Sequence, residues 1–105
     1  MGDIMLTEAA KGVFTIAATP FLPDGALDLQ SLDRLTDFYA EKGATGLTIL
    51  GIMGEAGKLS ADESLAVIRR VVARTSLPII VGVSSPGFAA MQALAGEAMA
   101  AGAAG

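Results

Sequence analysis

The sequence predicts an α/β fold made of three successive βα units. Short apolar, β-branched runs recur about every 32 residues, the length of a strand-plus-helix unit. Each run is nearly continuous in apolar character, as parallel strands buried on both faces require. Between the runs, apolar residues return at helical spacing behind recognisable caps.

The first strand is expected over Val13–Ala18 (VFTIAA). Asp28 can cap a helix running to about Lys42, with Leu32, Leu35 and Phe38 on one face and Arg34, Asp37 and Glu41 largely elsewhere. Gly46–Leu50 (GLTIL) is the second strand. Ser60-Ala-Asp-Glu63 has the spacing of a capping box, in which hydroxyl and carboxylate each bond an orphan backbone N–H. Leu65, Ile68, Val71 and Val72 follow at helical spacing, and Arg69, Arg70 and Arg74 favour the outer face. Pro78–Val83 (PIIVGV) is the third strand. The third helix is expected from Gly87 to about Ala101, with Pro86 suited to its first turn and Phe88, Met91, Leu94 and Ala95 inward.

A short repeat bears on organisation. "GATG" (Gly43 to Gly46) introduces the second strand, and "GAAG" (Gly102 to Gly105) stands at the end of the sequence. If the two copies play the same role, a fourth strand is expected to start there, and the 105 residues read as a fragment of one domain without an internal boundary. Right-handed βα crossovers place all three helices on one side of the sheet. The other face then needs cover, from a closed eight-stranded barrel or from helices on the opposite side of a doubly wound sheet. Left open, such a face is expected to associate or aggregate.

Composition excludes several functions. The chain is 52% hydrophobic and 17% charged, too apolar for disorder. With a net charge of −4 and no Lys/Arg cluster, no nucleic-acid partner is expected. The absence of cysteine and histidine removes disulfides, thiol chemistry, the usual transition-metal ligands and a Ser-His-Asp arrangement. No metal or cofactor is expected. Asp3 and Glu8 interrupt the short N-terminal apolar stretch, unlike a signal peptide. No run approaches the roughly 20 apolar residues of a membrane span, since Glu97 breaks the Ala-rich tail. A soluble, cytoplasmic protein is expected.

The stretch Ile49 to Ser60, "ILGIMGEAGKLS", is the candidate site. A phosphate loop needs G-x-x-x-x-G-K-[ST], but Leu59 follows Gly57-Lys58 and Ile52 stands where the first glycine belongs. Gly51, Gly54 and Gly57 also miss the G-x-G-x-x-G dinucleotide spacing. A plain turn, with Glu55 as a solvated charge, is the simplest reading of the glycines. Against it stands position: in barrels and open α/β sheets, ligands bind at the loops that follow strand C-terminal ends.

Longer segments carry a resemblance. "FTIAATPF", "DLQSLDRLTDFYAEKGATGLTILGIMGE", the helix start "LSADE" and "PIIVGV" resemble the N-terminal part of the dihydrodipicolinate synthase and N-acetylneuraminate lyase family, from Gly12 to Gly105. Thr19-Pro20, Gly51 to Glu55 and "LSADE" are its most specific elements. The resemblance implies a (β/α)₈ TIM barrel, of which this chain supplies the first three βα units and is incomplete. It also implies a class I lyase or aldolase acting on pyruvate or another 2-oxo acid. In such enzymes a lysine forms a Schiff base with the keto carbon, and the protonated imine accepts electrons as a bond breaks or forms. A tyrosine relays protons, and the G-x-x-G-E loop holds the carboxylate. The resemblance further implies a homo-oligomer, commonly a tetramer.

Carried over by position, Gly51, Ile52, Met53 and Gly54 become substrate-binding residues, and Thr19, Pro20 and Glu55 an active-site wall. The family usually has Gly-Thr-Thr-Gly-Glu or Gly-Ser-Thr-Gly-Glu. Here Ile52 replaces the hydroxyl that passes protons to the tyrosine, and Met53 the threonine that bonds the carboxylate. Losing both argues against the dihydrodipicolinate synthase reaction itself, and for an altered substrate or another proton path. No catalytic residue is expected within this chain, because the Schiff-base lysine and relay tyrosine belong to later strands. Lys11 precedes the first strand, Lys42 ends a helix, and Lys58 lies in a solvated loop where its pKa stays ordinary. Tyr39 reads as packing. The competing expectations are an autonomous three-βα interaction module and a nucleotide-binding domain.

Overall fold

The computed structural model of the protein describes residues 5–105, so Asp3 lies outside the described residues. Strand β1 (Phe14–Ile16) leads to helix α1 (Leu29–Glu41), β2 (Gly46–Ile49), a 3₁₀ turn (Ala56–Lys58), α2 (Ala61–Arg74), β3 (Ile79–Val81) and α3 (Phe88–Ala101). The sheet is parallel in the order β1-β2-β3. These are the first three βα units of an incomplete TIM-barrel-like fold.

The strands are shorter than the apolar runs. Pairing continues one residue past each end, with the Ala17 N–H donating to the Thr48 carbonyl and the Gly82 N–H to the Ile49 carbonyl, both at 2.9 Å. Strand β2 stops because Leu50 turns to φ 59°, left-handed backbone that no strand accommodates.

The helices lie on one face of the sheet. Leu47 and Ile49 of β2 align with Ile79 and Val81 of β3 and form a core with Leu32, Val67, Ile68 and Val71. The opposite face aligns Ile16, Thr48 and Ile80, of which Ile16 is 52% exposed and the others half-buried. This is the uncovered face that one-sided crossovers imply.

Caps fix the helix starts. The Asp28 carboxylate accepts from the Ser31 N–H at 3.0 Å, and Ser60 and Glu63 form both halves of the capping box. Helix α2 is tied to α1 by two bidentate pairs, Arg70 on Asp33 and Arg74 on Asp37, at 2.6–2.9 Å. Arg70 and Arg74 lie on the outer face, as expected, but clamp the neighbouring helix.

Three expected placements are corrected. Phe38 is not on the buried face of α1 but 51% exposed, beside Tyr39 and under the Lys42 ammonium. The inward stripe runs through Leu32, Thr36 and Tyr39, and Phe38 sits about 120° round the axis from Leu32. Phe88 is 91% exposed. It continues the Met91–Leu94–Ala98 spacing at the first helical position of α3, where nothing covers it. Pro86 precedes the N-cap Gly87 instead of entering the first turn.

The Gly-Ala-x-Gly repeat has one structural meaning. Gly43 (φ 94°) and Gly102 (φ 111°) leave α1 and α3 in left-handed backbone that glycine adopts without strain. Each is followed by residues that pair with the sheet. Thr45 donates to the Val13 carbonyl at 2.8 Å, Ala104 donates to Ile79 at 2.8 Å, and Val81 donates to Gly105 at 3.0 Å. Residues 104–105 therefore run along the free edge of β3, beside the three-stranded sheet. Among the described residues, no helix is long and apolar enough to cross a membrane.

Candidate functional site

The loop after β2 folds back over its own strand end. A Cβ on Gly54 would stand 2.9 Å from the Leu50 nitrogen and 3.3 Å from the Ala17 carbonyl oxygen. A Cβ on Gly82 would stand 2.4 Å from the Leu50 carbonyl oxygen. Leu50 is thus wedged between the ends of β1 and β3 and is 1% exposed. The two non-glycine residues with positive φ among the described residues, Leu50 (59°) and Glu55 (55°), bracket this loop. Such backbone costs energy and concentrates at functional loops.

A turn then closes the loop, with the Glu55 N–H donating to the Ile52 carbonyl at 3.0 Å and the Ala56 N–H to that of Gly51 at 3.4 Å. The N–H groups of Ile52, Met53 and Gly54 meet no acceptor among the described residues. Successive free amides suit an anion. The Ile52 side chain is 97% exposed and that of Met53 64%, so neither is held by the fold. Gly51 has open space around it, with no atom within 4 Å of an added Cβ.

Glu55 and Lys58 are paired, Nζ to Oε1 at 2.7 Å. That hydrogen bond, then the carboxylate's charge, raises the Lys58 pKa above its ordinary value. Lys58 is therefore not the free, unperturbed cation expected from sequence, and at neutral pH its ammonium is no nucleophile. Nor is it available to a phosphate chain in the manner of a phosphate loop, since α2 opens only at Ala61, beyond it. The Glu55 carboxylate turns to Lys58.

Thr19 is buried and Pro20 half-buried, just past β1 at the same end of the sheet. The Tyr39 hydroxyl accepts from the Ala18 N–H at 3.3 Å. Tyr39 thus anchors the segment that leads into Thr19-Pro20, a role beyond packing. A cleft of about 750 Å³ lies between the β2 and β3 loops, lined by Gly51, Ile52, Glu55, Lys58, Ser84 and Ser85 among others. Ser84 and Ser85 were not foreseen, although two hydroxyls directly after a predicted strand were the available signal. No group of three or more carboxylates, histidines or cysteines among the described residues could hold a metal ion.

Comparison with known proteins agrees with the fold. The Dihydrodipicolinate synthetase family matches residues 9–105. A 4-hydroxy-tetrahydrodipicolinate synthase of Sorangium cellulosum is 44% identical over 98 residues, 90% of this chain and 33% of that protein. The crystal structure of a dihydrodipicolinate synthase from Rhodopseudomonas palustris superposes with a TM-score of 0.93 at 58% identity, covering 98% of this chain and 35% of that one. One from Acinetobacter baumannii, solved with pyruvate, gives a TM-score of 0.82 at 33% identity over 89% of this chain and 33% of its own. The chain spans about a third of the length of these relatives. With residues 9–105 matched to the family, the chain belongs to the dihydrodipicolinate synthetase family.

Proposed function

We propose that the Gly51–Glu55 loop holds the carboxylate of a 2-oxo acid in a class I, Schiff-base-forming lyase. The observation that carries this reading is the run of three N–H groups, Ile52, Met53 and Gly54, without an acceptor among the described residues, in the loop after a strand's C-terminal end. Amides satisfy an anion without any hydroxyl, so the replacements at Ile52 and Met53 leave that function intact. The pyruvate bound in the Acinetobacter relative supports a small 2-oxo acid as ligand.

In this reading a lysine outside residues 1–105 adds to the keto carbon and water leaves. The resulting iminium accepts the electron pair of the breaking bond as an enamine. Thr19, Pro20 and the paired Glu55 wall the site, and Tyr39 positions the first of these walls. Residues 1–105 then form part of a single barrel domain in a cytoplasmic homo-oligomer, a tetramer by resemblance, without nucleic-acid or membrane partners. Borohydride treatment with pyruvate tests the reading: the full-length protein gains a covalent reduced adduct, and the 105-residue chain alone gains none. A full-length protein left unmodified would refute it.

A further inference from the structure

We infer that Ile52 and Met53 select a 2-oxo acid whose chain beyond the keto carbon is apolar, an inference that rests on the function proposed above. Ile52 is the most exposed large hydrophobic residue among those described, at 97%, and Met53 adjoins it at 64%. Neither contributes to the core. Their backbone is nonetheless fixed, by the turn bonds of Glu55 and Ala56 and by the close contact of Gly54 with Leu50. The fold therefore presents two apolar side chains on a rigid turn beside the amides that take the carboxylate.

A ligand whose carboxylate meets those amides brings its remaining carbons against or near this pair. An aliphatic or aromatic chain there removes apolar surface from water on both partners. A hydroxyl or second carboxylate would lose water and gain no partner from either side chain. The nearby hydroxyls, Ser84 and Ser85, belong to the loop after β3, across the cleft from Ile52.

The experiment compares borohydride-trapped imine on the full-length protein for 2-oxohexanoate and 2-oxoglutarate, acids of similar length that end in a methyl and a carboxylate. Pyruvate serves as reference. The expected ratio of trapping efficiencies favours 2-oxohexanoate at least about tenfold, the scale of discrimination by an apolar pocket. Ile52→Thr and Met53→Thr each lower that ratio severalfold, whereas Ile52→Val keeps it within about twofold. A ratio is insensitive to the fraction of protein folded. Trapped pyruvate with no preference for 2-oxohexanoate, or with a ratio that neither threonine variant changes, would overturn the selection and leave the proposed function standing. No trapped imine with any of the three acids would overturn the proposed function and the selection with it.

Discussion

Gly82→Ala should damage the site by forcing backbone against backbone. The added Cβ would lie 2.4 Å from the Leu50 carbonyl oxygen, 3.0 Å from its carbon and 3.3 Å from the Gly51 nitrogen. A relaxed carbon–oxygen contact is about 1 Å longer than the first of these. No flexible side chain can yield, because all three atoms are backbone. Leu50 cannot retreat easily either, since it is 1% exposed and already at φ 59°. Overpacking of this kind costs about 1–3 kcal/mol, and a wholly backbone clash belongs at the upper end. Urea unfolding reads it as a lower midpoint at unchanged m. Gly51→Ala is the matched control, because its Cβ enters open space and its φ is not positive; it should stay within about 0.5 kcal/mol of the parent. A Gly82→Ala protein as stable as Gly51→Ala would refute the account of how this loop is held.

Ser60→Ala removes the hydroxyl that accepts from the Glu63 N–H at 3.1 Å, and urea midpoints should show a loss of about 1 kcal/mol. Ile68→Ala, at a fully buried position, should cost about 2–5 kcal/mol in the same assay. The Asp33 and Asp37 carboxyls are held below the usual aspartate range, chiefly by hydrogen bonds from Arg70 and Arg74 respectively. Their folded-state pKa values are depressed, so their stabilisation is present above the unfolded value of about 3.9 and is lost as pH falls through the lower folded values. Thermal melts from pH 6 to pH 2 should therefore drop less steeply for the Asp33→Asn/Asp37→Asn double variant than for the parent; equal slopes would count against these pairs.

Periodicity made most of the fold legible. The three β-branched runs and the Ser60–Glu63 capping box marked elements that the structure contains, because strand burial and capping are local signals. The Gly43 and Gly102 repeat marked the same helix exit twice, since left-handed backbone favours one residue type. Phe38 and Phe88 are not legible in this way, because hydrophobicity alone points both inward, while their exposure depends on helix phase and on Phe88 being the first residue of α3. The loop was legible as a candidate from its glycines and its position. Its internal construction was not: the left-handed Leu50, the Gly82 contact across β3 and the Glu55–Lys58 pair depend on chain segments far apart or on side-chain direction. Likewise the Tyr39–Ala18 bond joins residues 21 apart, beyond any local pattern.

Peptide mapping of the full-length protein after pyruvate and borohydride tests the central claim most directly. The account predicts one reduced pyruvate adduct, on a lysine outside residues 1–105. Lys11, Lys42 and the Glu55-paired Lys58 should be recovered unmodified. An adduct on any of these three would contradict it.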